Sequence, residues 1–377
     1  MSTDSAAQQL SRTGRVVFID YLRFIACFMV ILVHCIEPFY LGGSGTFIRN
    51  ATDAAWVTLL DSALRAAVPL FVLASSYLLL PLKYDTSTFF RKRFVRVCIP
   101  LLIWSVLYAL FPYWGSAEGF DRGANLQRLL LNFNPHSGHL WFLYMLLGLY
   151  LIMPALSPWL SKVSRKGEEA FLWVWGFTTL IPFLRQAALS LTGSPELWGE
   201  ASWNEYGVFQ YVSGFIGYIV LGHYFRTYVP DLSWKKTLLA AVPMWLAGYA
   251  VTAGWFWLKM PKEFPVDGPV DIAVYLETSW QFCATGVVLT SIAYFMVIRK
   301  IVSDGAFYRR VILPVSKVSY GMYLMHMFIL VFFNQLVAQW NMATLPHILV
   351  TALLTFTVCA VVSRLLSFIP GSKYVLG

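Results

Sequence analysis

The chain has 377 residues, of which 58% are hydrophobic, 17% are aromatic and only 12% are charged. A soluble domain carries about 25% charged residues, so this composition excludes an ordinary soluble enzyme and indicates a protein that uses lipid as its solvent. The formal net charge of +9 does not indicate binding to nucleic acid, because most of the basic residues fall in short loops between apolar segments.

Ten apolar segments are long enough to cross a bilayer, which requires about 20 residues for a helix. We therefore predict an all-α integral membrane protein, a single bundle of about ten transmembrane helices over residues 17–368, with short tails at 1–16 and 369–377. In chain order, the predicted spans lie near 17–36, 57–81, 97–114, 139–157, 170–190, 207–226, 237–258, 278–298, 315–335 and 346–368.

The orientation follows from the distribution of Lys and Arg. One alternating set of loops and tails, which includes Arg12, holds 18 of these residues and the other set holds 5. Because basic loops stay on the cytoplasmic side, both termini are predicted to be cytoplasmic. The loops expected to face outward are 37–56, 115–138, 191–206, 259–277 and 336–345.

The five cysteines indicate neither disulfides nor a zinc site, because they lie in or beside apolar segments and show no CxxC spacing. They are Cys27, Cys35, Cys98, Cys283 and Cys359. No secretory cleavage site follows the first apolar run, so that run is predicted to be a retained span.

The first span contains two ionisable residues, Arg23 and His34. In a helix they would lie about 16 Å apart along the axis and within roughly 20° of each other around it. Asp20 and Glu37 would fall near the same face. Ionisable residues inside a span are costly and indicate function; the alternative is that Arg23 snorkels to the interface and His34 is a hydrogen-bonded structural residue.

A basic cluster precedes the third predicted span. Lys92, Arg93 and Arg96 are spaced i, i+1 and i+4 on the most basic inner loop. Arginine binds phosphate with two parallel hydrogen bonds, so the cluster suits a polyanionic ligand. The alternative is that these residues serve only to set the topology.

The second predicted span contains Arg65, with Asp61 four residues earlier as its expected partner. Arg65 has two alternative roles: it forms a structural ion pair, or it stabilises a developing oxyanion. His139 and Trp141 stand at the outer entry of the fourth span, where interface anchoring and the stacking of Trp141 on a sugar ring are the two alternatives.

Tyr323 and His326 fall on the ninth predicted span, with His326 at mid-depth as either a supporting or a purely structural histidine. His136, His223 and His347 are assigned no role.

Five stretches in this order resemble the membrane acyltransferase 3 family. They are Arg23 and His34 with ten residues between them, "RAAVPLFVLASSYLLL" (65–80), "KRFVRVCIP" (92–100), "HLWFLYMLLGLYLIMP" (139–154) and "SYGMYLMH" (319–326). The chain departs from the family pattern at Ser75-Ser76-Tyr77, where Ser-Gly-Tyr is usual. It looks most like the short, all-membrane members without an added soluble domain, such as those that acetylate the enterobacterial common antigen.

The resemblance implies an O-acetyltransferase of the bacterial inner membrane that takes acetyl groups from cytoplasmic acetyl-CoA as a co-substrate. It implies a glycan or glycolipid acceptor, the lipid bilayer as surroundings, no nucleic acid partner, and no permanently bound cofactor or metal. It leaves open homo-oligomerisation, the identity of the acceptor and N-acylation in place of O-acylation.

The resemblance also assigns roles to the candidate residues. It makes Arg23, Lys92, Arg93 and Arg96 the donor-binding set, and His139, Trp141, Tyr323 and His326 the acceptor-side or supporting set. His34 would act as a general base or form an acetyl-histidine. Glu37 would orient its imidazole, and Arg65 is the third catalytic candidate.

The competing interpretation is an exporter of polysaccharide or lipid-linked sugar, since ten spans with buried charges also suit a transporter. Transporters often consist of two related halves with broken helices, and no related halves are visible in this sequence. Consumption of acetyl-CoA with release of free CoA distinguishes the two classes.

Overall fold

The structure is a computed structural model that describes residues 14–42, 45–113, 119–132 and 134–377. Residues 1–13 of the predicted amino-terminal tail, with Arg12, lie outside the described residues. The structure is 74% helical and almost without strands, which confirms the predicted all-α class.

The helices follow the apolar segments of the sequence closely. In chain order they are α1 Val17–Ile36, α2 Ala51–Leu64, α3 Ala67–Leu79, α4 Thr86–Leu110, α5 Arg122–Leu131, α6 Trp141–Leu160, α7 Arg165–Thr178, α8 Ile181–Thr192, α9 Ile216–Thr227, α10 Trp234–Lys259, α11 Val270–Leu276, α12 Thr285–Ile298, α13 Leu313–Ala338, α14 Thr344–Leu366 and α15 Lys373–Leu376. A 3₁₀ turn, Pro135–Leu140, leads into α6, and a π-helical turn, Tyr308–Ile312, leads into α13.

Three short strands form a small antiparallel sheet in segments that the sequence predicted as outward loops. They are β1 Leu41–Gly42, β2 Gly45–Ile48 and β3 Val266–Gly268, in the order β1-β2-β3. Leu41 pairs with Thr46, and Phe47 pairs with Asp267. The sheet therefore joins two loops that are far apart in the chain.

Seven helices of the described residues are long and apolar enough to cross a membrane, or eight if the bent pair α11–α12, with its 48° bend, counts as one span. They correspond to eight of the ten predicted spans. The segments 170–190 and 207–226 form shorter helices, so the count of ten spans and the cytoplasmic location of both termini stay predictions.

Two predicted spans are interrupted at prolines. The helical segment around 57–81 is two helices, α2 and α3, separated at Arg65 and Ala66. Pro69 lacks the N–H that would bond to the Arg65 carbonyl and continue the ladder. In the segment 170–190, Pro182 opens α8 after a break at Thr179. Prolines are tolerated in a first helical turn but not in a helix interior.

The third span begins eleven residues earlier than predicted. Its helix, α4, starts at Thr86 because the Asp85 side chain accepts a hydrogen bond from the Thr88 backbone N–H at 3.0 Å. This is an ordinary N-cap. The basic cluster 92–96 therefore lies within the helix and not in the loop before it.

The predicted polar stripe lies on the first helix and the turn that follows it. Asp20, Arg23 and His34 all belong to α1, but the helix ends at Ile36 and Glu37 begins a short 3₁₀ turn. Pro38 follows, and a residue before proline is disfavoured in the α-helical region. The position of Glu37 beside His34 stays a prediction.

The chain divides into two compact units, described here separately. The first unit comprises the described residues up to Leu22, together with Ile36–Pro81 and Ser157–Val302. In it, α10 packs along α12 and α9 packs against α3. Phe18 contacts Tyr77 and Phe295 edge to face, with ring centroids 5.1 and 5.8 Å away.

The second unit comprises Arg23–Cys35, Leu82–Leu156 and Ser303–Gly377. In it, α13 packs along α14, and the short helix α15 packs against α4. The Trp104 indole N–H donates to the Val375 carbonyl at 2.8 Å. Phe24 and Phe28 of α1 meet the Phe356 ring of α14 edge to face, with ring centroids 5.2 and 5.3 Å away.

Candidate active site

Three histidines from separate parts of the sequence meet in the second unit. His34 comes from the last turn of α1, His139 from the 3₁₀ turn before α6, and His326 from the middle of α13. The ring centroids of His34 and His326 are 5.1 Å apart, those of His139 and His326 are 5.0 Å apart, and those of His34 and His139 are 6.4 Å apart. We call these three side chains the histidine cluster.

The turn that carries His139 is fixed by hydrogen bonds on both sides. The Asn134 side chain accepts from the His136 backbone N–H at 3.1 Å and caps the start of the turn. The Tyr323 hydroxyl donates to the His139 carbonyl. The Tyr108 ring meets the imidazole of His139 edge to face at 4.8 Å. These contacts hold His139 against α13, one turn from His326.

Hydrogen bonding fixes the tautomer of His326. Its Nδ1 lies 2.6 Å from the Tyr323 carbonyl, which can only accept, so Nδ1 carries a proton. In the neutral ring the lone pair is then on Nε2. Nε2 is buried and has no hydrogen-bond partner in the part of the chain that the structure describes. A nitrogen with a lone pair can accept a proton from a neighbouring group.

Burial separates the members of the cluster. His326 is completely buried and His139 is 7% exposed, whereas His34 is only half-buried. His34 is therefore the member that a substrate can reach, and His139 and His326 lie behind it in the interior.

Aromatic side chains line this group. The Tyr108 ring stacks on Phe328 with centroids 4.3 Å apart, and its hydroxyl donates to the Leu324 carbonyl at 2.7 Å. Trp141 is half-buried at the first position of α6, beside Phe142, which meets Tyr323 at 5.7 Å. The low polarity of this lining strengthens any electrostatic interaction within the cluster.

Arg65 lies in the first unit in a separate group that we call the arginine cluster. Its Nη2 is 2.6 Å from Asp61 Oδ2 and 3.5 Å from Glu277 Oε1, and it donates to the Tyr40 hydroxyl at 3.0 Å. The Tyr40 hydroxyl in turn donates to Glu277 at 2.7 Å. The expected pairing of Arg65 with Asp61 is therefore present.

The arginine cluster is enclosed by aromatic rings. The Arg65 guanidinium lies 4.7 Å from the Trp280 ring centroid, and Trp280 stacks on Phe256 at 4.0 Å. Glu37 is close enough to Tyr40 and Asp61 to act on them electrostatically. Paired carboxylates and a cation–π contact together compensate a buried guanidinium.

A comparison with models of protein families matches residues 16–364 of this chain to an acyltransferase domain, the Acyl_transf_3 family. The chain belongs to the acyltransferase 3 family. The match covers nearly the whole described membrane domain, and the resemblance inferred from the five sequence stretches is thereby confirmed. Comparison with curated proteins and with solved structures finds no match.

The predicted donor-binding residues of this membrane acyltransferase all fall in its second unit. Lys92 and Arg96 are exposed, one turn apart on α4, and Arg93 between them is half-buried. The Lys92 ammonium lies 3.6 Å from the Tyr84 ring centroid, and the Arg93 guanidinium lies 6.0 Å from that of Phe89. Within the described chain, no carboxylate pairs with these three cations.

Arg23 of the acyltransferase lies on α1 and is half-buried, eleven residues before His34. That spacing corresponds to about 16 Å along the helix axis. The two side chains thus mark different depths of one continuous helix, as the sequence predicted. Among the described residues, no group of three or more His, Cys, Asp and Glu side chains is arranged so that it could hold a metal ion.

Sequence reasoning missed several neighbours of the candidate residues. Tyr108 packs on His139 from α4, while Tyr40, Glu277 and Trp280 surround Arg65. Glu277 is 212 positions after Arg65 in the chain, and no local periodicity connects positions so distant. The only signal available was residue type: a buried arginine needs carboxylates and aromatic faces around it.

Proposed function

We propose that this acyltransferase moves an acetyl group from cytoplasmic acetyl-CoA to a hydroxyl of a cell-surface glycan or lipid-linked saccharide, in a bacterial inner membrane. The observation that carries the proposal is the meeting of His34, His139 and His326 in a chain of an acyltransferase family. A hydroxyl is a poor nucleophile while protonated, and imidazole is the side chain best suited to remove its proton near neutral pH.

His34 is proposed as the general base because it is the only half-buried member of the cluster. A base must come within about 3 Å of the proton that it abstracts. His326 would support it: its Nδ1–H is held by the Tyr323 carbonyl, so its Nε2 can accept a proton from within the cluster. Attack by the acceptor oxygen on the thioester carbonyl then breaks the C–S bond, and the thiolate of CoA leaves with the proton.

The donor is proposed to bind through Arg23, Lys92, Arg93 and Arg96. Acetyl-CoA is polyanionic, and among the described residues no carboxylate pairs with Lys92, Arg93 or Arg96 of α4. Arginine and phosphate form short, charge-assisted hydrogen bonds. A polyanion placed among exposed cations would be bound mainly by charge, so its affinity should fall as ionic strength rises.

Glu37 and Arg65 are the less direct members of the proposed catalytic set. Glu37 would orient the His34 imidazole, so Glu37→Gln should lower turnover less than loss of the histidine. Nη2 of Arg65 is already engaged by Asp61, Glu277 and Tyr40, and this engagement favours the structural role for Arg65 over stabilisation of an oxyanion.

The test is a paired measurement on purified protein, acetyl-CoA affinity by calorimetry and turnover of acetyl-CoA with a glycan acceptor. His34→Ala should retain donor affinity and lose turnover by about 100-fold or more. Arg23→Ala should weaken donor binding instead. His347→Ala is the matched control, since this histidine bonds Asn334 at 2.9 Å and should leave both quantities unchanged. Normal turnover of His34→Ala at saturating donor would exclude His34 as the base.

The orientation needs its own test, because the proposal requires the donor residues to face the cytoplasm. A reporter enzyme that is active only outside the cytoplasm, fused after Lys83 or after Arg165, should be silent. Activity at either position would contradict the predicted side of the donor site.

A further inference from the structure

A second group of chemically competent side chains lies in the first unit, between α7 and α9. Glu168, in the first turn of α7, is completely buried, and His223 of α9 is 2% exposed. Nδ1 of His223 lies 3.0 and 3.2 Å from the two carboxylate oxygens of Glu168. Its Nε2 lies 3.3 Å from Oγ1 of Thr227, the last residue of α9.

The hydrogen bonds define where the protons are. The Glu168 carboxylate accepts from Nδ1–H, so the lone pair of the neutral His223 ring is on Nε2 and the Thr227 hydroxyl donates to it. Acyl-transfer enzymes use the same arrangement of three groups. A hydroxyl is the nucleophile, an imidazole bonded to it is the base, and a carboxylate bonded to the imidazole orients the ring.

Thr227 differs from other threonines in the helices of this chain. Thr58, Thr192 and Thr252 each donate to the carbonyl four residues earlier, which is how a helical threonine usually satisfies its hydroxyl. The Thr227 hydroxyl instead bonds the imidazole of His223. Thr227 is half-buried, so an acyl group can reach the oxygen that the imidazole polarises.

The two helices that carry the group are held rigidly. The Trp175 indole N–H donates to the Gly214 carbonyl at 2.8 Å, and its ring lies so close to Gly217 that a Cβ there would come within 1.9 Å. At the other end of the contact, Glu169 accepts from the Tyr224 hydroxyl at 2.6 Å. Such support fixes the distance between Glu168 and His223, which a catalytic arrangement requires.

We propose that Thr227, His223 and Glu168 form a second acyl-accepting site, at which the Thr227 hydroxyl is transiently acylated by an acyl thioester. The choice of a thioester rests on the proposed function. The loop charges put this end of α9, which carries Arg226, on the predicted cytoplasmic side, where the donor is expected. The site would hold an acyl group covalently between its release from the donor and its next transfer.

The step is balanced in atoms and charge. Oγ1 of Thr227 attacks the thioester carbonyl carbon as its proton passes to Nε2 of His223. The tetrahedral intermediate collapses with cleavage of the C–S bond, and the leaving thiolate takes the proton from the imidazolium. The products are a threonine ester and a free thiol, and Glu168 stabilises the imidazolium without being protonated.

The test is acid-quenched labelling of the purified full chain, followed by intact-mass measurement and peptide mapping. One sample is mixed with acetyl-CoA and another with p-nitrophenyl acetate, an activated ester that needs no CoA-binding residues. We expect one acetyl group on Thr227 in both samples. Thr227→Ser should keep the label and Thr227→Val should lose it. His223→Gln should slow labelling by about 100-fold, the scale of a lost general base.

Thr192→Val is the matched control, because it removes an exposed helical hydroxyl that bonds only backbone groups, and its labelling should equal that of the unaltered protein. Unchanged labelling of Thr227→Val would overturn the proposal.

Glycan acetylation measured on the same samples separates the proposed function from the proposed acylation of Thr227. Acetylation of the glycan without an ester on Thr227 overturns this inference alone. If p-nitrophenyl acetate forms the ester on Thr227 but acetyl-CoA is not consumed, Thr227 is the nucleophile and acetyl-CoA is not the donor.

Discussion

The arginine cluster of the first unit and the histidine cluster of the second unit handle buried polar groups in opposite ways. Around Arg65, the positive charge is compensated by two carboxylates, a hydroxyl and an aromatic face. Around His326, the neighbours are other rings and one backbone carbonyl, and Nε2 has no partner in the described chain. The arrangement around Arg65 keeps the guanidinium charge paired, whereas the arrangement around His326 leaves a nitrogen available for proton transfer.

A buried ionisable residue therefore does not by itself indicate a catalytic role. Arg65 and His34 are both catalytic candidates in the sequence, since each is an ionisable residue in an apolar span. Their surroundings differ: Arg65 is enclosed by carboxylates of opposite charge, which is typical of a structural ion pair, while His34 lies beside two other imidazole rings, and clustered titratable groups are typical of a site.

The largest effect is expected on stability at the arginine cluster. Arg65→Ala leaves Asp61, which is completely buried, without its charge partner, and should lower the free energy of unfolding by about 3–5 kcal/mol. Thermal unfolding in detergent measures it. Arg165→Ala, which breaks the largely exposed pair with Glu169, should lower the free energy of unfolding far less. Equal losses in the two variants would remove the contrast between a buried and a surface pair.

The second effect is expected on turnover at the histidine cluster. His326→Gln removes the imidazole Nε2 and should lower turnover by about 100-fold, with little change in acetyl-CoA affinity, because the cluster loses a proton acceptor and not a donor-binding cation. His347→Gln provides the control. If His326→Gln instead unfolds the protein as Arg65→Ala does, the two clusters are both structural.

The third effect concerns donor affinity and extends the comparison to an arginine without a carboxylate partner. Arg93→Ala should weaken acetyl-CoA binding by roughly 10- to 100-fold, the cost of about 1.5–3 kcal/mol for one charged contact. The loss should shrink for donors that lack the adenosine phosphates. Arg364→Ala is the control, because Arg364 also lies over an aromatic ring, that of Phe368 at 4.6 Å. An equal loss in both variants would indicate a general effect of charge.

The smallest effect is expected at the hydrogen bond between Tyr323 and the turn of His139. Tyr323→Phe removes the hydroxyl that donates to the His139 carbonyl and should cost about 1 kcal/mol of stability, with a turnover loss of roughly 5-fold as the cluster loosens. Tyr144→Phe, at a tyrosine that is 50% exposed, should change neither quantity. A normal turnover for Tyr323→Phe would show that the turn is held by its other contacts.

Local sequence information was sufficient for most helices because an apolar run of about 20 residues has few alternatives in lipid. α1 was predicted to the residue, and α10 and α13 to within a few positions. The errors lie at Arg65 and Thr179, where prolines interrupt an otherwise apolar run, and at Thr86, where the Asp85 cap starts α4 early. Each error comes from one hydrogen bond, lost at the prolines or added by the Asp85 side chain, and hydropathy does not measure either effect.

The membrane class, the family and the placement of Arg23 and His34 on one helix can be predicted from the amino-acid sequence, because composition, motif order and helical periodicity are properties of neighbouring residues. Only the tertiary structure decided which side chains surround them. His139 and His326 are 187 positions apart yet meet ring to ring, and Arg65 lies between carboxylates that α2 and a distant loop supply. Such contacts depend on how helices pack, and packing is selected by the summed burial of many side chains, so no single stretch of sequence specifies it.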